Sequence, residues 1–344
     1  MRRWLGIATL IGLGVVALGL TTWAAERERV VNIYSARHYQ TDEQLYAGFT
    51  KATGIEVKWI EGDQDGLLER LRNEGRNSPA DLFITVDVGR LWRADQRGLL
   101  AEVRSEILKA RIPAALRHPQ GRWYGFATRA RIIFYNRELV NGDQIRTYED
   151  LADPRWKGLV CIRSSSNIYN LSLLASLIAH QGAEAAERWA AGVVANFARD
   201  PVGGDTDQLR GLASGECGIA LANSYYFARL MRSGAARDRA LVKAVGVIFP
   251  NQGGRGAHVN ISGAAVLRNA PHPQNARLFL EYLTSPEAQL YFAGVNNEYP
   301  VVGGLEGNKT LRKLGAFKAD TINIAVFGDY QAAAQRIFDR VGWK

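Results

Sequence analysis

A chain of 344 residues exceeds the usual size of one domain, and 47% hydrophobic content provides for a sizeable core, so about two domains are expected. The formal charge of +9 comes from basic residues that alternate with acidic ones along the whole chain. No Lys/Arg block or basic-aromatic interleaving occurs, which argues against a nucleic-acid groove, while a basic surface suits an anionic metal complex or a negatively charged membrane.

The chain begins Met1-Arg2-Arg3, runs uncharged from Trp4 to about Leu20, and reads Thr21-Thr22-Trp23-Ala24-Ala25 before charge resumes at Glu26. This is the pattern of a signal peptide over residues 1–24, cleaved near Ala24; Arg2-Arg3 leave both the general and the twin-arginine export routes open. A membrane-spanning helix is the alternative, since the run approaches the ~18 to 20 apolar residues a span needs. The stretch holds no cysteine to accept a lipid, so the mature chain is expected free in the periplasm. In that oxidising compartment the two cysteines, Cys161 and Cys217, favour one disulfide, two separate buried thiols being the alternative.

From Val30 onward, short β-branched runs alternate with helical patterns. Strands are expected at Val30 to Tyr34, Ile55 to Ile60 and Asp81 to Val86, with helices near Asp42 to Thr53 and Gly66 to Glu74 between them. This βαβαβ rhythm predicts a parallel sheet covered by helices. A strand at Trp123 to Phe126 is followed by Ala130 to Asn136, too regular for a loop and read as a crossover between lobes. A second α/β unit then takes in a strand at Leu159 to Ile162, helices around Leu171 to Gln181 and Ala183 to Asn196, and a strand at Gly218 to Ala222. Gly263 to Leu267 carries the chain back to the first lobe.

Three tyrosine clusters share one structural address. The first strand ends in Ala36-Arg37-His38-Tyr39-Gln40, with Thr41-Asp42 available to cap the next helix; another ends in Ser164-Ser165-Ser166-Asn167-Ile168-Tyr169, just before a helix; a third ends in Asn223-Ser224-Tyr225-Tyr226, where Ser224 could cap. Each lies at a strand's carboxyl end and a helix amino end, where open α/β sheets bind ligands. One address belongs to the first lobe and two to the second, so the groups should face each other across a cleft. A free phenol, with a pKa near ~10, is a poor ligand at neutral pH, but a hard trivalent cation such as Fe(III) stabilises the phenolate directly. Softer divalent ions favour thiolate or imidazole clusters, which the sequence lacks. With 13 tyrosines in the chain, packing is the ordinary role of any one of them, and Tyr34, Tyr46, Tyr124, Tyr135 and Tyr299 are assigned to it; His38 is open between a loop hydrogen bond and ligation.

These residues resemble the ferric-iron-binding solute proteins of ABC importers, most closely their cyanobacterial-type branch. The resemblance rests on Tyr34 to Tyr39, Ser78-Pro79-Ala80-Asp81, Trp156-Lys157-Gly158, Gly204 to Asp207, Ala222 to Tyr226, His258 to Ala264 and Glu298 to Val301, in that order over nearly all of the mature chain. It implies an α/β, type II periplasmic binding protein fold with two lobes joined by crossover strands, expected here as residues 25–127 plus 265–309 and 128–264 plus 310–344. It also implies iron(III) as bound solute, held by Tyr39, Tyr169, Tyr225 and Tyr226, no organic cofactor, and delivery to an inner-membrane ABC permease by a monomer. Other branches add a carboxylate and an external anion; here Thr85-Val86-Asp87 puts valine in the carboxylate's place, and Tyr39 beside His38 compensates. Arg129 and Arg229 are candidates to hydrogen-bond phenolates from outside the metal.

Two other readings stand beside this one. The same fold could take an organic cation of polyamine or thiamine type, or an oxyanion, with Trp92, Trp123 or Trp156 lining the cleft. An enzyme is disfavoured, because there is no nucleophile elbow, HExxH, P-loop or evident acid/base pair.

Overall fold

The computed structural model describes residues 29–37 and 42–344; the expected signal peptide, His38 and Tyr39 lie outside the described residues. The first unit follows the expected rhythm: β1 (Val30–Ser35), α1 (Asp42–Thr53), β2 (Glu56–Glu61), α2 (Gln64–Glu74), β3 (Leu82–Val86) and α3 (Val88–Gln96). β1 pairs in parallel with both β2 and β3. Apolar residues on one sheet face (Val31, Ile33, Leu82, Ile84) meet Phe49 and Phe279, and those on the other (Tyr34, Phe83) meet Leu68 and Leu91, as period-two strands between helical layers require.

The connection to the second unit differs from expectation. Trp123 to Phe126 and Ala130 to Asn136 are not two segments: β4 (Tyr124–Asn136) is one strand of 13 residues. It stays continuous because its hydrogen-bond partners hand over along its length. Its first half pairs antiparallel with β8 (Val259–Val266), and Ala127 and Thr128 also face β9 (Tyr299–Pro300). Its second half pairs with β6 (Ile219–Asn223) and β7 (Val245–Ile248). β8 in turn lies antiparallel to β3, so β4 and β8 together join the halves of a sheet ordered β2-β1-β3-β8-β4-β6-β5, where β5 is Val160–Cys161.

β5 and β6 are parallel and feed the helices α4 (Ile168–Gln181) and, beyond α5 (Ala183–Ala195) and α6 (Asp205–Ser214), α7 (Ser224–Arg232). Cys161 and Cys217 form the expected disulfide, with Cα atoms 5.8 Å apart and both residues buried. Near the carboxyl end, Ile324 and Phe327 pack into the first unit's core, whereas Ala334, Ile337 and Phe338 of α8 (Gln331–Val341) pack into the second's. Among the described residues no helix is long and apolar enough to cross a membrane.

Candidate metal centre

Each of the two described tyrosine addresses is built by a helix start. Asn167 caps α4, its side-chain oxygen accepting from the Tyr169 amide at 3.1 Å. Tyr169 therefore sits inside the first helical turn and not before the helix, one turn earlier than the apolar periodicity suggested. At the second address Asn223 occupies the cap position, and Ser224 is the first helical residue. Ser224 does not cap; its hydroxyl accepts from the Ala130 amide of β4 at 3.3 Å, which pins α7 to the long strand. Because Tyr225 and Tyr226 lie beyond β6, they escape the alternation that would point strand neighbours to opposite faces. Their rings lie 4.2 Å apart at 30°, and the Tyr225 hydroxyl is 3.4 Å from that of Tyr169.

Beneath the phenols runs a buried polar frame that sequence reasoning missed. Arg131, on β4, donates to Asn170 Oδ1 at 2.6 Å and to Asn223 Oδ1 at 3.3 Å, and pairs with Asp205 at 3.4 Å. Asp205 also accepts from the Asn223 amide at 2.8 Å, and Asn170 donates to the Arg163 carbonyl at 2.8 Å. One arginine thus ties together the residue after Tyr169, the residue that precedes the tyrosine pair's helix, and a carboxylate from α6. The signal was present in the alternation of Arg129 and Arg131 within an apolar strand, which places both guanidiniums on one face.

Four guanidiniums surround the phenols. Arg163, Arg129 and Arg131 stand 5.5, 5.6 and 5.9 Å from the Tyr169 ring centre, and Arg229 stands 5.9 and 5.7 Å from those of Tyr225 and Tyr226. Arg129 and Arg229, expected as hydrogen-bond donors to phenolates, stand beside the rings in unequal surroundings. Arg129 is buried, pairs with Asp87 at 3.6 Å and donates to the Ile261 carbonyl; Arg229 is exposed. Burial opposes charge on Arg163, yet Asp205 and the three tyrosines raise its pKa above the ordinary value. Burial pushes the Tyr226 phenol up to about 12, helped by Tyr169 and Asp205 and opposed by Tyr225 and Arg163. That phenol is protonated at neutral pH, so a cation that binds it must displace the proton.

The first unit meets this site through Asp87, which has a positive φ of 78° and caps α3 by accepting from the Gly89 amide at 3.0 Å. Its carboxylate also accepts from Ser172 of α4 at 2.6 Å and from Asn260 of β8 at 2.8 Å, so it is occupied with joining the halves. Arg37 and Asp42, which flank residues 38–41, pair at 2.9 Å, and Glu298 lies 3.5 Å from the same guanidinium.

Of the tyrosines assigned to packing, three have partners elsewhere: the Tyr34 hydroxyl donates to Glu74, that of Tyr124 to the Val103 carbonyl, and Tyr46 lies in the first core, whereas Tyr299 packs against the same core cluster as Tyr226. The tryptophans considered for a cleft wall are structural. Trp123 and Trp156 are core residues, and the Trp92 indole donates to Asp329 at 2.9 Å. Among the described residues no group of three or more His, Cys, Asp or Glu side chains is placed to hold a metal ion, so phenols are the concentrated donors.

Residues 77–316 match the family model described as bacterial extracellular solute-binding protein. The chain is 50% identical over 317 residues to iron uptake protein A1 of Synechocystis, covering 92% of this chain and 88% of the relative. It superposes with a TM-score of 0.89 and 54% identity on the Trichodesmium protein IdiA (FutA) in complex with iron and citrate, covering 92% of this chain and all (100%) of that one. The ferric binding protein from Campylobacter jejuni gives a TM-score of 0.86 at 40% identity, covering 91% and 100%. With the strand-joined halves of the type II periplasmic binding fold and matches along nearly its whole length, the chain belongs to the bacterial extracellular solute-binding protein family.

Proposed function

We propose that this chain is the exported receptor of an ABC uptake system, and that it captures iron(III) with the phenolates of Tyr169, Tyr225 and Tyr226 from one lobe and Tyr39, with His38 beside it, from the other. The observation that carries the reading is the convergence of three phenols on a cluster of arginines in a chain similar to iron uptake proteins. Arginines repel a bare cation, so the site disfavours ions that leave the phenols protonated. A trivalent ion that ionises four phenols makes a complex of net charge minus one, which the guanidiniums then stabilise. The lobes, residues 25–127 plus 265–309 and 128–264 plus 310–344, would close about β4 and β8 as metal binds, ligand binding supplying the free energy for closure. The cargo then passes to a membrane permease, with no reaction catalysed on it.

A visible titration with ferric citrate, beside a Tyr225→Phe/Tyr226→Phe double variant, tests this. The expected result is a phenolate-to-iron charge-transfer band that saturates near one iron per chain and is largely lost in the variant. A folded wild-type protein without the band would refute the reading.

A further inference from the structure

The segment that leaves β5 carries Arg163 and runs into α4 just ahead of Tyr169, yet beyond Cys161 it pairs with no strand. Among the described residues, its backbone from Arg163 to Ser166 is held from outside by two groups. One is Asn170, which donates to the carbonyls of Arg163 at 2.8 Å and Ser164 at 3.1 Å. The other is the chain just past α8. The Trp343 indole donates to the same Arg163 carbonyl at 3.1 Å, and the Lys344 carbonyl accepts from the Ser165 amide at 2.9 Å. Asn170 belongs to the Arg131 frame described above, whereas Trp343 reaches the segment from 180 residues away in sequence.

The turn that aims the indole is set locally. Gly342 has a left-handed φ of 73°, which glycine adopts without a steric penalty. Its amide donates to the Asp339 carbonyl at 3.4 Å and the Trp343 amide to the Phe338 carbonyl at 3.0 Å, the paired bonds of a Schellman motif that folds the chain back over the helix end. Trp343 is thereby buried, 3% exposed, with its ring centre 4.6 Å from that of Phe338 and 5.2 Å from that of Phe197. A buried indole N–H needs an acceptor, and a carbonyl already bonded to Asn170 still has a second lone pair to offer. Because the indole is rigid, packing its ring fixes where the Arg163 carbonyl must stand. From there the Arg163 side chain reaches to within 5.5 Å of the Tyr169 ring, and the Tyr169 hydroxyl lies 3.4 Å from that of Tyr225. We infer that Trp343 is a positioning residue of the metal centre: acting through the Arg163 carbonyl, it sets where Arg163 and Tyr169 stand relative to the Tyr225–Tyr226 pair. The inference rests on the iron-binding reading above.

The test compares full-length mature wild type with Trp343→Phe, which keeps an aromatic ring beside Phe338 and Phe197 but removes the donor. Trp189→Phe is the control, since that indole lies in the same cluster, 6.1 Å from Trp343, and donates to the Tyr148 carbonyl at 2.7 Å, outside the segment. Both variants should unfold at a lower temperature than wild type. Trp343→Phe alone should displace the maximum of the ferric charge-transfer band, and its iron affinity in competition with citrate should fall about three- to tenfold, the scale of one hydrogen bond. An unmoved band and affinity in Trp343→Phe, or an equal change in Trp189→Phe, would overturn the inference and leave the iron-binding reading intact. A folded wild type without the band would remove both. Hydrogen exchange on the metal-free wild type adds a check that needs no variant: the Ser165 amide should exchange at least about tenfold more slowly than an unstructured amide. Exchange at the unstructured rate would mean that the segment is not held, and would overturn the inference even if Trp343→Phe did not fold.

Discussion

Tyr226 shows how the individual residues share the chemistry. On the proposed iron-binding reading its phenol, held up to about 12 by burial and by Tyr169 and Asp205, must give up its proton to the metal, so iron affinity should rise with pH as each displaced proton is mass-action favoured. Arg163 works against that penalty, since it lowers the same phenol and is itself held charged by Asp205 and the tyrosines. Replacing Arg163 with Gln should therefore move the pH midpoint of charge-transfer band formation upward by about half to one unit, with little change in the thermal unfolding temperature. An unmoved midpoint in a spectrophotometric pH titration would mean that Arg163 serves Asp205 alone.

The disulfide belongs to the scale of elements. It joins Cys161, the last residue of β5, to Cys217, two residues before β6, and its partners are separated by the same 56 residues as Tyr169 and Tyr225. The two strands that it staples are therefore the two that deliver the contacting phenols. By the chain-entropy estimate a loop of this length contributes about 4 kcal/mol, and a Cys161→Ser/Cys217→Ser variant should lose roughly 2–5 kcal/mol in urea unfolding. The same variant, still folded at low temperature, should give a weaker or shifted iron band, because β5 and β6 are freer to change their spacing. A destabilised variant with an unchanged band would show that the Arg131 frame alone sets the phenol geometry.

At the scale of the whole molecule, the chain entering β8 holds a group that makes the fold sensitive to acid. His258 is buried against Phe327, its ring centre 4.8 Å from that of the phenylalanine, and its amide donates to the Tyr148 hydroxyl at 3.0 Å. Burial first, then Arg131, Arg129, Arg255 and His180, depress its pKa to about 3. The unfolded chain takes up the proton near ~6.5 and the folded one does not, so stability present above that pH declines as pH falls toward 3, by at most about 1.4 kcal/mol per pH unit. Calorimetry between about pH 7 and pH 4.5 should show a smaller loss of unfolding temperature in His258→Gln than in wild type. Equal losses would assign acid sensitivity to the buried carboxylates instead.

Much of this was legible in local pattern. The period-two runs gave β1, β2 and β3 with their parallel order, and residue types at strand ends placed Tyr169, Tyr225 and Tyr226 at helix starts, because both signals depend on near neighbours in the chain. The same signals missed the continuity of β4, since a strand that changes partners midway looks like two segments in sequence. They also assigned a cap to Ser224, which is the first helical residue after Asn223 and whose hydroxyl is taken instead by Ala130, 94 residues away in sequence. His38 and Tyr39 lie outside the described residues, so the proposed first-lobe donors stand on the sequence alone. Residue identity determined which groups could become phenolate ligands and that two cysteines would pair in an exported chain. Only the tertiary structure decided which charges surround those phenols: Arg131 finds Asp205 from 74 residues away, and a buried charge is stabilised by whichever partner the folded chain brings to it, a choice that no local pattern encodes.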